Sequence, residues 1–186
     1  MIYKARPGQA SYGEAIGILL LDTFVPFIPG DVANATTYDF PVRFQKVQGL
    51  TTGQVLGKDP TAFEPILAAA EELACQGVRA ITGDCGFLAL HQRRLASGLE
   101  IPVFLSSLLQ IPFISGILGP DRKVGIITAD SKGLDEPLLA AVGVKPGEKL
   151  VIRGMEDLPG FSKAVIEETG VLDSGRIENE VVSVAR

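Results

Sequence analysis

Tryptophan is absent from this chain, histidine occurs once, at His91, and cysteine twice, at Cys75 and Cys85. No pairing of cysteine and histidine completes a set of four zinc ligands, so zinc chemistry is not expected and no metal site is read from the sequence. Two thiols make no disulfide framework, and each has to be judged by its own surroundings. Basic charge is also scarce: 17 Lys and Arg stand against 22 Asp and Glu, for a net charge of −5. Short basic doublets such as Arg93-Arg94 are far from the stripe that neutralises a phosphate backbone, so nucleic acid is not an expected partner. Apolar runs stop at about seven residues, as at 15–21, where a membrane span needs about 18 or more. Glu14 and Asp22 bracket that run, which argues against a secretory signal and for a soluble, cytoplasmic protein. Phosphate signatures are missing as well. No Gly-x-Gly-x-x-Gly occurs, and Gly53, Gly57 and Lys58 lack one P-loop spacer and have Asp59 where Ser or Thr would meet magnesium.

What the chain does have is apolar residues, 46% of 186, with a mean hydropathy of +0.28. A chain of this size buries about 70% of its unfolded surface and needs no staple. Short β-branched runs at 16–21, 78–82, 101–105, 124–128 and 150–153 read as strands covered on both faces. Between them Phe63, Ile66, Leu67, Ala70, Leu73 and Ala74 follow helical spacing, from Asp59-Pro60 to Gly77, with Pro65 as an awkward member. Further helices are expected over 86–97, 107–117, 137–142 and 174–186, the last capped by Asp173. Strands alternating with helices imply an α/β fold with parallel sheets. We expect two lobes, 1–116 and 117–186. Residues 38–47 are ambiguous, since Val42 and Phe44 alternate as in a strand while Pro41 argues for an edge.

The informative stretch is Ile81-Thr82-Gly83-Asp84-Cys85-Gly86-Phe87. A strand ends, a small-residue turn follows and a helix begins, which puts Cys85 at the carboxyl edge of the sheet, where α/β proteins bind ligands. Free amides at a helix start favour a thiolate and draw its pKa towards neutrality, while Asp84 opposes this unless it turns into a cap. Cys75 sits late in a helix beside Glu71 and Glu72 and reads as a bystander. His91 is six residues beyond Cys85 and points away from it, towards the surface beside Gln92, Arg93 and Arg94. Without a histidine partner the Cys85 thiol suits proton transfer better than acyl attack, although a buried structural role is its alternative. Other strand ends converge on the same edge: Asp22 and Thr23 after the first strand, Thr82 and Asp84 with Gly86 around Cys85, and Thr128 after the fourth. Asn34, in the loop with Pro26, Pro29 and Gly30, is a further candidate contact. Asp22, Asp130 and Ser131 serve equally well as caps of turns.

The Gly83-Asp84-Cys85-Gly86-Phe87 turn, the opening Gly17-Ile18-Leu19-Leu20-Leu21-Asp22 with its Pro-rich sequel, and Lys123-Val124-Gly125-Ile126-Ile127-Thr128 together resemble the aspartate/glutamate racemase superfamily, nearest its hydantoin-racemase-like branches. The resemblance implies two pseudo-symmetric α/β lobes, an active site between them, no cofactor, and homodimers among relatives. It also implies that Cys85 moves the proton on the carbon next to a carboxylate, with Asp22, Thr23 and Thr128 contacting a small carboxylate or amino-acid substrate. Gly86 and Phe87 replace the Asn and Thr of glutamate racemases, so the resemblance leaves the substrate open among aspartate, glutamate, a hydantoin or another small acid. The second cysteine of that pattern falls beyond Arg186, and the second lobe is expected to be incomplete. The expected function is therefore a cofactor-independent racemase or isomerase. The rivals are a cysteine-dependent hydrolase or decarboxylase, and a non-catalytic carboxylate-binding protein or inactive fragment.

Overall fold

Parallel strands form two separate sheets in the computed structural model, which describes residues 1–186 except Tyr3 and Pro120. Strands β1 (Ile16–Leu20), β2 (Val42–Lys46), β3 (Ala80–Gly83) and β4 (Val103–Phe104) lie in the order β2-β1-β3-β4. Strands β5 (Val124–Thr128) and β6 (Leu150–Gly154) pair in a second sheet. Register runs Ile16 to Val42 and to Ala80, Ile81 to Val103, and Val124 to Leu150, all parallel. This is the expected α/β class with parallel sheets. The ambiguous 38–47 stretch resolves as the edge strand β2, with Pro41 just outside the ladder, where its missing N–H costs nothing.

The helices are α1 (Thr52–Leu56), α2 (Phe63–Cys75), α3 (Gln92–Gly98), α4 (Ile111–Ile117), α5 (Glu136–Ala141), α6 (Pro159–Phe161) and α7 (Ser174–Ala185). Pro65 is accommodated because α2 starts at Phe63, after a 3-10 turn at Pro60–Ala62, and proline in a first turn gives up no intrahelical bond. Asp173 caps α7 by accepting the Arg176 N–H. Residues 86–97 depart from the single expected helix: Gly86–His91 wind as a 3-10 helix before α3 begins. Phe87, Leu88 and Ala89 are all buried, and three consecutive buried residues fit a tight turn sunk into the core better than one amphipathic face. Likewise 107–117 opens as a 3-10 turn, Ser107–Gln110, before α4. Gly83 makes the first of these turns possible, because a β-carbon there would lie 2.6 Å from Leu88 Cδ1.

Ile18, Leu19, Ile66, Leu73, Ile81, Leu88, Leu95 and Leu105 are fully enclosed between the four-stranded sheet and its helices, each such side chain contributing roughly 1.5–3 kcal/mol by burial. Gln92 is buried among them. Its Nε2 donates to the Val103 carbonyl at 2.8 Å and its Oε1 accepts the Leu105 N–H at 2.9 Å, so one side chain completes the short strand β4. Gln92→Leu leaves both backbone groups unpaired and is expected to cost about 2 kcal/mol in urea unfolding. No helix among the described residues is long and apolar enough to cross a membrane.

Candidate active site

The carboxyl ends of β1, β3, β4 and β5 open onto one cavity of about 460 Å³. Residues 25–28 of the loop after β1 and Phe161, Val165, Ile166 and Leu172 from the segment before α7 form its apolar walls. Of the residues expected in the site, Thr23, Asp84, Cys85, Gly86 and Thr128 line this cavity.

Cys85 starts the 3-10 turn in an extended conformation, φ −115° and ψ 122°, its side chain making no capping hydrogen bond, while the Phe87 and Leu88 amides nearby favour the thiolate. The expected fall of its pKa does not occur. Burial pushes the thiol up to about 12 and the Asp84 charge adds to this, which outweighs the two amides. Asp84 does not cap the turn either. Its Oδ2 accepts the Leu21 N–H across the sheet at 3.0 Å, while its Oδ1 is buried with no hydrogen-bond partner among the described residues. Burial raises the Asp84 carboxyl to about 6, with a smaller push from Asp31.

Asp22, Asn34 and Thr82 do not line the cavity. Asp22 turns to the β2 edge, where Lys46 Nζ sits 3.0 Å away and the Gly49 N–H donates at 3.1 Å; the Lys46 bond, followed by that amide, holds its carboxyl below the usual range. Asn34 is spent on its own loop, donating to the Phe27 carbonyl at 2.9 Å and accepting the Thr36 N–H at 2.9 Å. The Thr82 hydroxyl donates to the Phe104 carbonyl on β4 at 2.7 Å. Thr128 Oγ1 reaches the Asp130 carbonyl only at 3.4 Å, and the Ser131 hydroxyl is taken by Glu156. His91 stays out of the cavity lining, as expected, but it is half-buried rather than a surface residue, its ring 5.8 Å from that of Phe63. Burial, followed by the Arg94 charge, lowers its pKa. Cys75 is exposed, with Sγ 3.7 Å from the Pro7 carbonyl.

Sequence reasoning missed Ser106, Ser107, Thr52, Ser174 and Asp31, all of them in the lining. Ser106 and Ser107 follow the run 101–105, so the strand-end rule that pointed to Cys85 and Thr128 also points to them. Ser106 Oγ accepts the Leu108 N–H at 3.2 Å, and Ser107 is exposed to the cavity. The charge of the lining is one-sided. Asp31 and Asp84 are present, and no lysine, arginine or histidine is among the described lining residues; Phe27, Phe87 and Phe161 supply aromatic faces.

With a half-buried thiol at a strand end, a buried carboxylate beside it and hydroxyls across the space, the cavity is equipped to move a proton. The chain is similar in sequence to dimethylsulfoniopropionate lyases. It is 33% identical over 156 residues to dimethylsulfoniopropionate lyase 3 of Emiliania huxleyi (strain CCMP1516), a match covering 79% of this chain and 40% of that protein. It is 28% identical over 181 residues to a dimethylsulfoniopropionate lyase of Durusdinium sp. clade D, covering 92% and 59%. The chain thus spans about 40% of the length of the first of these relatives and somewhat over half of the second. No family model matches it. Among solved structures, a variant of arylmalonate decarboxylase in a sulfate-associated form superposes with a TM-score of 0.54 at 18% identity, over 91% of this chain and 72% of that one. That likeness concerns the fold. These relatives and this neighbour are enzymes, and the sequence relatives carry the name of lyases rather than of racemases.

Proposed function

We propose that this chain carries the proton-abstracting site of a lyase acting on a small carboxylate with a cationic leaving group, of which dimethylsulfoniopropionate is the representative substrate. The observation that supports this reading is the charge of the cavity. Aspartate or glutamate, with two carboxylates, would meet Asp31 and Asp84 with no cationic side chain among the described lining residues to offset them. An onium group meets two carboxylates and the faces of phenylalanines, which attract cations by roughly 0.5–2 kcal/mol each when desolvated.

In this reading the two lobes, 1–116 and 117–186, supply the two walls, and the hydroxyls of Ser107 and Thr128 receive the substrate carboxylate. The Cys85 thiolate takes a proton from the carbon next to that carboxylate. The C–H electron pair becomes the C=C bond, the C–S bond breaks, and its electrons leave on neutral dimethyl sulfide. The products are acrylate and a protonated thiol, which returns its proton to water. Burial is the main reason the thiol stands at about 12, and the Asp84 charge adds to it; a cation in the cavity counters that charge, so the substrate itself helps to activate its base. Elimination needs one base on one face, whereas racemisation also needs an acid on the opposite face. Cys85 is the one thiol lining the cavity among the described residues. The reaction as written uses no cofactor.

Headspace gas chromatography of the protein with dimethylsulfoniopropionate, beside chiral chromatography with L-aspartate and L-glutamate, tests the reading. Release of dimethyl sulfide without amino-acid inversion is the expected result. Inversion of either amino acid without dimethyl sulfide returns the protein to the racemases.

A further inference from the structure

Lys58 and Glu168 are the non-glycine residues held at positive φ among the described residues, at 55° and 50°. A β-carbon makes this left-handed region unfavourable, and residues kept in it concentrate at clamps and switches. Both of these join the later part of the chain to the earlier part. The Lys58 ammonium pairs with Asp135 at the start of α5. The Glu168 carboxylate accepts the Phe24 N–H at 3.0 Å and the hydroxyls of Thr23 and Thr52, which stand at the cavity rim.

Glu168 belongs to residues 159–172, the segment whose Phe161, Val165, Ile166 and Leu172 wall the cavity. One end is pinned, because the Gly160 and Phe161 N–H groups each donate to Glu180 of α7 at 2.8 Å. The middle, Ser162–Ile166, winds as a π-helix, a rare turn that occurs frequently at functional sites. At the other end Gly170 lies so close to Phe24 that a β-carbon would come within 2.5 Å of its ring. That ring is itself 72% exposed and anchors little, which leaves the Glu168 carboxylate as the main tie to the loop after β1. Its partners are near the surface, where water replaces lost hydrogen bonds at small cost.

We propose that residues 159–172 form a strap that closes the cavity over Cys85, with Glu168 as its latch, and that ligands pass when the latch releases. This rests on the cavity being the functional site but not on the reaction carried out there.

The test is the rate at which monobromobimane alkylates Cys85 in the intact protein, read by peptide mass spectrometry, with exposed Cys75 as the internal reference. Glu168→Ala is expected to speed labelling of Cys85 at least ten-fold while leaving Cys75 unchanged. Glu168→Gln, which keeps an oxygen for the Phe24 N–H but loses the charge, should fall between. Strap opening exposes little surface, so the Cys85 rate should be flat at low urea. Equal rates in all three proteins, or a steep urea dependence that follows global unfolding, overturn the strap. Should Glu168→Ala fail to fold, Glu168→Gln decides by the same criteria. Labelling requires no turnover, so a protein that releases no dimethyl sulfide still reports on the strap, and an active one with unchanged labelling rejects the strap alone.

Discussion

Asp84→Asn is expected to gain about 3 kcal/mol of stability relative to the wild type between pH 4 and pH 8. Burial raises the Asp84 carboxyl from 3.8 to about 6, and each pKa unit corresponds to about 1.4 kcal/mol between protonation states. Because the folded value is the higher one, the native state binds this proton more tightly. Its favourable contribution is complete below pH 4 and disappears as pH rises through about 6, leaving a buried carboxylate whose Oδ1 has no hydrogen-bond partner among the described residues. Asparagine is neutral throughout and keeps an oxygen for the Leu21 N–H, so any fixed cost of the substitution cancels when its two pH values are compared. Asp22, Asp59 and Asp135 have lowered pKa values and lose stability in the opposite sense, as pH falls. They are common to both proteins and drop out of the difference. Urea unfolding of both proteins from pH 4 to 8 measures it, and a difference that stays flat with pH would show that Asp84 ionises as if in water. The same substitution removes the negative charge beside Cys85, so the thiol should titrate lower in the variant. Thiolate absorbance in a Cys75→Ser background follows that titration.

Much of this site was legible in the sequence, and the boundary of legibility has a physical origin. β-branched runs marked β1, β3, β5 and β6, and the rule that parallel strands deliver their carboxyl ends to one edge brought Thr23, Cys85 and Thr128 to a single cavity. The rule places backbone, not side chains. Successive residues of an extended chain point to opposite sides, and so Asp22 turns to Lys46 while Leu21 and Thr23 face the cavity. Asn34 failed for a local reason, since asparagine in a loop readily bonds its own backbone neighbours. The fall in the Cys85 pKa did not follow because the helix-start amides are local and visible, whereas the burial that outweighs them is a product of tertiary packing. Neither the π-helical turn nor the reach of Glu168 back to Phe24 leaves any periodic trace.

Cys85→Ser is expected to lower the elimination rate by about 10³-fold, within the 10²–10⁴ range that a positioned general base supplies. Serine fits the space and leaves the fold in place, but its hydroxyl ionises far above a thiol and offers almost no base at neutral pH. Ligand binding, which depends on charge and shape, should persist, so the onium substrate should still raise the melting temperature of the variant while kcat collapses. Cys75→Ser, at an exposed position at the end of α2, should stay within two-fold of wild type and guards against a general effect of thiol loss. Asp84 is the one other group beside the reacting position with a base-competent value, about 6. If Cys85→Ser kept its rate, with a pH profile rising through 6, the base would be that carboxylate and the thiol a part of the wall. A profile that in the wild type climbs well above neutrality and in Cys85→Ser falls to the background of water instead assigns proton removal to the sulfur, because no lysine, tyrosine or second thiol is among the described lining residues.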